Sequence, residues 1–598
     1  MQLIRLALKQ FRNLRDINIC FAEHFESTET SPESGEKPKT IRSHALIGQN
    51  GTGKSNLMEA LITIFRDIDL DREASFDYEL EYSIRDHHVY IKAETTEQKR
   101  PFVIVDEKPQ SQGYLLRNKE LLPSHIFAYY SGRNERMEAL FQEHQRRFNR
   151  RQEIVAEEVL PPEILNRLGN SPIDRETMEE LRRREERKQR IQYGDDRLRR
   201  LFYCRGGHSQ LVLLACLLSD DPVFKKVLEN LHIEALESAV FVLKQPHRLR
   251  SLQDDDIEQG DPRFWYARGN VVSEFLDKLW KVSWAPIQHE ESKLIDFRGR
   301  RERQKQLYLF VPSAEKLKEL GELVGTPQSF FRYAEGAYIG DLIDEVRITV
   351  KKRDEHGGKV SFTQLSEGEL QMLTVLGLMR ITSEDHCLFL LDEPDTHLNP
   401  IWKLRYFDDI EDVLTPQSDN AIQGESQILI TTHDPMMVGS LKREQVHIIR
   451  RNGVKTTVEQ PSEHPQGMGV SGLLKSEMFG LPSTLDNHTL TELQRRNDLL
   501  GKRSKEKLSN DEQEELDRLI VRLENLGFSK EYRDPMYQIF IENMYKVRSQ
   551  PLDKLLSAEE IQAQNKMAEE IIKQLVKAER LDDLSSLAKE LATKVKGE

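Results

Sequence analysis

The chain has 598 residues, room for roughly three or four domains, and its 38% hydrophobic residues are enough to pack their cores. With 31% charged residues and a formal net charge of -14, it has no overall basic character to mark it for nucleic acid or an anionic membrane, so any such surface has to be local. Cys20, Cys204, Cys216 and Cys387 lie far apart without a Cys-x-x-Cys pair, and the opening MQLIRLALKQF lacks a signal-peptide core. No window approaches about 18 unbroken apolar residues, so a soluble, cytoplasmic protein without zinc, disulfides or a membrane span is expected.

Residues 2 to 11 and 16 to 22 read as two half-buried strands joined at FRNLR, followed by a polar loop over 23 to 40. Ala45 to Ile47 then forms a short strand feeding Gly48-Gln-Asn-Gly-Thr-Gly-Lys54-Ser55, and Leu57, Ala60, Leu61, Ile64 and Phe65 mark one face of the helix that follows. Strand, glycine loop and helix in that order form a phosphate cradle. Gly48, Gly51 and Gly53 let backbone N–H groups point at phosphates, Lys54 supplies charge near the terminal phosphates, and the Ser55 hydroxyl suits Mg²⁺. Asn50, Thr52 and Asn56 complete the nucleotide-binding stretch.

Alternation over 76 to 84 and 89 to 93 predicts an antiparallel hairpin with His87 and His88 at its turn, read as solvated rather than metal-binding. Ile126 to Tyr130 is a further strand, followed by the polar run SGRNERM.

About three hundred residues separate Ser55 from the next motif, so a large insertion is expected, mostly helical and basic, over 141–335. Its arginine-rich runs, HQRRFNRR (144–151), LRRREERKQRIQYGDDRLRR (181–200) and 298–305, suit either a solvated helical face or a nucleic-acid backbone contact, and both readings stay open. No heptad pattern supports a long coiled-coil arm.

Leu365-Ser-Glu-Gly-Glu369 opens a helical run, with Ser366 and Glu369 spaced as a capping box; a helix start of this kind is also an anion site. Cys387 to Pro400, CLFLLDEPDTHLNP, reads as a strand buried on both faces that delivers carboxylates at its carboxyl end, on a strand neighbouring the one that feeds the cradle. Lys54, Ser55, Asp392 and Glu393 together cover the charge neutralisation, metal binding and water activation that phosphoryl transfer to water requires.

In sequence order, loop 48–55, LSEGE, LLDEPDTHLNP and Thr431-Thr432-His433 resemble the motifs of an ABC-type ATPase. LSEGE with DEPDTHLNP is similar to the RecF/SMC/OLD-like branch rather than to transporter subunits. The resemblance implies an α/β ABC-type head of two lobes around a mainly parallel sheet, with a large helical insertion and a helical carboxyl-terminal tail. On this reading 1–140 is the amino-terminal lobe, 141–335 the insertion, 336–460 the carboxyl-terminal lobe and 461–598 a helical region suited to partner docking. It further implies that Asp392 holds Mg²⁺, Glu393 polarises the attacking water and His433 senses the γ-phosphate of ATP. Asp395 would begin a loop facing a second subunit, and Arg12 and Asn13 would lie near the nucleotide. Ser366 and Gly368 would reach the nucleotide of the opposite subunit in a head-to-tail homodimer. The glutamine expected after Tyr130 is replaced by SGRNER, with Gln142 as the substitute on offer.

The segments 126–136, 208–222 and 473–482 resemble Septu-type anti-phage ATPases that accompany an HNH nuclease, which implies a nucleic-acid-sensing ATPase that controls a partner nuclease. The alternatives are a RecF-like repair ATPase and an OLD-like ATPase with its own nuclease; the latter needs a second carboxylate cluster after His433, which the sequence does not supply. In the tail, Asn452-Gly453 predicts a hairpin, and the spacing Ser509 to Glu512 and Ser557 to Glu560 predicts two capped helices.

Overall fold

The computed structural model describes residues 1–22, 41–152, 199–526 and 558–579, apart from 99, 112, 133, 253–256, 258–259, 270, 295–300, 354–356, 383–385, 415–425, 454, 482 and 504–506. Two compact units emerge, one formed by Met1–Ser440 with Glu444–Gln460 and the other by Leu441–Arg443 with Pro461–Glu598.

The first unit is α/β and, among the described residues, holds three sheets. Its centre is a seven-stranded sheet in the order Lys455–Glu459, Val446–Asn452, Ser43–Ile47, Gln427–Thr431, Leu388–Asp392, Ile126–Tyr130 and Leu201–Tyr203. All are parallel except the first, which closes the Asn452-Gly453 hairpin. The strands Ser43–Ile47, Leu388–Asp392 and Gln427–Thr431 are buried at every residue, as continuous apolar runs in a covered parallel sheet should be. The cradle strand and the carboxylate strand are not neighbours, contrary to the expectation. Gln427–Thr431 lies between them, so the strand leading to His433 is the one that joins the two halves.

A six-stranded antiparallel sheet, Leu14–Cys20, Gln2–Phe11, Tyr78–Ile84, His87–Ala93, Phe102–Val105 and Lys108–Gln110, shares one hydrophobic cluster with the helix Lys54–Asp69 and the parallel sheet. The helix is therefore buried nearly all round. Met58, Glu59, Ile62, Thr63 and Asp67 are buried along with the one face the spacing marked, and Phe65 meets Tyr82 edge-on at 5.7 Å. The hairpin turn falls at Arg85 and Asp86, both with positive φ. His87 and His88 instead begin the next strand, where they bind Asp106 and Glu81.

Within the described residues the insertion holds helices, among them His208–Leu217, Pro222–Asn230 and Ala314–Val324, and also strands that the sequence did not announce. Ile233–Lys244, Trp284–Leu294 and Arg301–Val311 are long strands, and with Ile343–Lys352 and Lys359–Ser361 they form a five-stranded antiparallel sheet. Residues 301–305 of the third basic run lie in that sheet, where Arg303 stands opposite Ser292 and Lys305 opposite Glu290, so a cation facing a carboxylate across paired strands had the appearance of a basic patch in one dimension.

In the second unit, helices Asn487–Arg503 and Asn510–Asn525 share a core of Leu499, Leu516 and Ile520, and Ser509 caps the second of them through the predicted box with Glu512. A helix also spans Ala558–Glu579. All four cysteines are free thiols. Among the described residues no helix is long and apolar enough to cross a membrane.

Candidate functional site

Four parallel strands end side by side, and the register sets what meets there. Asp392 pairs with Thr431 on one side and Tyr130 on the other, and Thr431 pairs with Leu46 of the cradle strand. The loops after Ile47, Tyr130, Asp392 and Thr431 therefore converge at one edge, where ligands bind in open α/β sheets.

The glycine loop is tied from several directions. The Asn13 amide donates to the Gly51 carbonyl at 2.8 Å and the Thr52 hydroxyl to the Gln49 carbonyl at 2.9 Å. Gly53 enters the helix with φ 110°, and a Cβ there would come within 2.2 Å of the Leu14 side chain, so the strand turn and the loop fit only with glycine. Gly48 lies against the Ile449 carbonyl, Asn50 and Gly51 form the exposed tip, and Asn56 donates to Asn13 Oδ1 at 2.5 Å.

Lys54 is buried with its ammonium on the Gly48 carbonyl at 2.8 Å and the Gln49 carbonyl at 3.3 Å. Burial holds it below the usual lysine range, against the pull of Glu393 and Asp392. Asp392 is 1% exposed. Burial raises its carboxyl above the ordinary value, opposed by hydrogen bonds from Thr431 and Ser55, and its Oδ2 is buried without a hydrogen-bond partner. A buried carboxylate with one oxygen unsatisfied, beside a serine hydroxyl at the end of a phosphate cradle, fits a hard divalent cation. Two protein ligands with phosphate oxygens and water suit Mg²⁺ better than an all-protein cage. Among the described residues no group of three or more His, Cys, Asp or Glu could hold a metal by itself.

Glu393 adopts φ 50°, a left-handed conformation that a non-glycine residue holds only when its surroundings enforce it. The enforcement comes from Thr431, whose carbonyl and hydroxyl both accept from the Glu393 N–H at 3.1 Å. The result turns the Glu393 carboxylate toward His433, with Oε1 3.4 Å from Nδ1. Thr432 donates to Asp395 Oδ2 at 2.9 Å, so both threonine hydroxyls hold the carboxylate loop while His433 stays exposed. Asp395 itself is 2% exposed, so its carboxylate braces the two loops from inside, while the loop it begins turns Thr396 and His397 outward.

Ser366 caps the helix Glu367–Met372 through the predicted box, and Lys352 holds Glu369 at 2.6 Å. This helix is fastened to the carboxylate loop: the His397 N–H donates to Gln371 Oε1 at 3.2 Å, and a Cβ on Gly368 would lie 2.6 Å from the His397 carbonyl oxygen. Gly368 and Gln371 thus tie the helix that Ser366 caps to the loop after Asp392. Gln142 is exposed on the helix Glu135–Gln152, and Arg136 of the same helix turns to the cradle helix, an arginine in the place where the sequence offered only a glutamine.

Arg12 likewise pairs with Glu59 at 2.6 Å. Arg199 and Arg200, which end the longest basic run, are interior anchors: Arg199 pairs with Glu335 at 2.5 Å, both side chains nearly inaccessible, and Arg200 binds Asp69 at 3.0 Å. The residues 153–198 lie outside the described residues.

Residues 261–438 match the family described as "AAA domain, putative AbiEii toxin, Type IV TA system", a stretch that carries Ser366, Asp392, Glu393 and His433. No curated protein matches the chain. Among solved structures it is similar to the SMC head domain from Thermotoga maritima, at 12% identity over 77% of this chain and 99% of that one with a TM-score of 0.28. It is also similar to the recombination mediator protein RecF-ATPrS of the RecFOR pathway, at 12% identity over 77% of this chain and 97% of that one with a TM-score of 0.25.

Proposed function

We propose that the chain is an ATP-binding and ATP-hydrolysing ATPase of the RecF/SMC/OLD type. The observation that carries this is the pair of contacts at the sheet edge, Ser55 with Asp392 and Glu393 with His433, made by residues from three separate loops. Loop amides and Lys54 bind the phosphates. Ser55 and Asp392 would hold Mg²⁺, which when bound neutralises charge on the β- and γ-phosphate oxygens. Glu393, fixed by Thr431, orients the attacking water and takes up its proton, and His433 is placed to donate to the γ-phosphate.

Ser366 is exposed at the start of a helix whose Gly368 packs on the carboxylate loop, which supports a composite site completed by a second copy in a head-to-tail homodimer. Beyond the engine, we read the chain as a cytoplasmic, Septu-like anti-phage ATPase that senses nucleic acid and regulates a partner nuclease of the HNH type. The description of the family matched over 261–438, a toxin of a toxin–antitoxin system, is in keeping with a defence role. A RecF-like repair role would differ in its partners, and an OLD-like nuclease would need a carboxylate cluster of its own.

Equilibrium ATP binding and turnover test the proposal. Lys54→Ala is expected to abolish binding, whereas Glu393→Gln keeps it and stops hydrolysis; equal loss of affinity in both variants would refute these roles. The purified chain with Mg²⁺ or Mn²⁺ should leave DNA and RNA intact, and cleavage removed by a carboxylate substitution outside the ATP site would favour the OLD-like reading.

A further inference from the structure

The cradle helix buries a carboxylate that the chemistry above does not use. Glu59 has no exposed surface, and two arginines from different elements converge on it: Arg12 Nη2 lies 2.6 Å from Oε2 and Arg136 Nη2 2.5 Å from Oε1. Arg12 stands at the turn between the first two strands with φ 54°. Arg136 lies in the first turn of Glu135–Gln152, just beyond the strand whose last residue, Tyr130, pairs with Asp392. The Arg136 guanidinium also donates to Asn56 Oδ1 at 3.2 Å, Asn56 to Asn13 at 2.5 Å and Asn13 to the Gly51 carbonyl at 2.8 Å. A continuous line of hydrogen bonds thus runs from Arg136 to the tip of the glycine loop.

One guanidinium would neutralise Glu59. Two leave a net positive charge beside the first turn of a helix whose amides already gather anions, and both heads stay partly open, their side chains 36% and 50% exposed. Tyr130 reports the same neighbourhood: burial, then Asp392 and Glu393, push its hydroxyl up, and Arg136 opposes them. Arginine's planar fork can keep one edge on a carboxylate and offer another to a phosphate, which lysine cannot.

Resting on the ATPase reading, we propose that Arg136 binds the terminal phosphate of ATP from the segment where the expected glutamine is missing, and that Glu59 is the positioning residue that aims it. The pairing then makes the site selective for a nucleoside triphosphate over a diphosphate.

The full chain is titrated with ATP and with ADP in the presence of Mg²⁺. Arg136→Ala is expected to weaken ATP binding by roughly 10- to 100-fold, the worth of one charge-assisted hydrogen bond, with ADP affinity changed by less than about threefold. Glu59→Gln should shift the ATP-to-ADP ratio in the same direction by a smaller factor, and Arg136→Lys should restore part of it. A folded Arg136→Ala with the wild-type ratio, beside a Lys54→Ala control that has lost both nucleotides, overturns the proposal and makes the cluster a packing device. Should Arg136→Ala fail to fold, the ratio for Arg136→Gln decides in the same way. A wild-type chain that binds neither nucleotide removes the ATPase reading itself, and this proposal with it.

Discussion

Gly368 and His397 stand backbone to backbone: a Cβ on the glycine would lie 2.6 Å from the His397 carbonyl oxygen, with the Trp402 ring just beyond. Because the obstacle is backbone, neither partner can turn aside. Gly368→Ala should therefore lift the helix Glu367–Met372 from the loop after Asp392, costing on the order of 1–3 kcal/mol as overpacking does and lowering ATP turnover while binding persists. Melting temperature and nucleotide affinity measured together check this; an alanine variant with unchanged melting and turnover would show the fit to be looser than the geometry says.

Complementation tests the composite site. Ser366→Arg and Lys54→Ala are each expected to be inactive, yet mixing them should restore up to about half of the sites in heterodimers, where one of two composite sites is intact. Loss of the Ser366 cap alone costs about 1 kcal/mol, so the variant should remain folded. Absence of recovery after verified subunit exchange would point to a self-sufficient protomer.

The arginines of 181–200 divide into two groups. Arg199→Ala removes the partner of a buried Glu335, with His208 3.6 Å from the same carboxylate oxygen, and should destabilise the first unit by about 3–5 kcal/mol. If Arg182, Arg183 and Arg184 contact nucleic acid, reversing them to glutamate should flatten the salt dependence of binding by roughly two to three units, with basal ATP turnover kept. A slope that stays the same in the charge-reversed variant assigns that stretch to other contacts.

His447 and His44 form a buried pair on adjacent strands, Nε2 to Nδ1 3.1 Å, with Phe21 edge-on to both rings. Burial pushes His447 down to about 4, and His44 is also held low, first by burial and then by His447. The unfolded chain protonates these rings near pH 6.5 and the folded one does not. The stabilisation is thus complete above about 6.5 and falls away as pH drops toward about 4, by about 3 kcal/mol for His447 alone. Thermal melts from pH 8 to 4 should show that decline, and His447→Phe should reduce it. Identical profiles for the two proteins would exclude the pair as its source.

Much of the site is legible in the order of residues alone, because the interactions that build it are local. Gly48 to Ser55 announces itself because phosphate needs amides and small residues in one contiguous loop, and the Ser366 and Ser509 boxes close as spaced because a cap acts over three residues. The unbroken apolar run ending at Asp392 likewise required a strand covered on both faces.

Only the tertiary structure decided which charges are free. Arg199, Arg200, Arg303 and Lys305 read alike in one dimension, but Arg199 is buried on Glu335, Arg200 meets Asp69, and Arg303 and Lys305 lie opposite Ser292 and Glu290 in a hairpin, because charge pairing depends on neighbours far away in sequence. The same physics hid the strands of the insertion, whose polar halves lack the apolar alternation that betrays a half-buried strand. It also hid the cluster at Glu59, a carboxylate on a helix that the sequence marked as one-faced and that two sheets enclose, drawing Arg12 and Arg136 to it from 47 and 77 residues away.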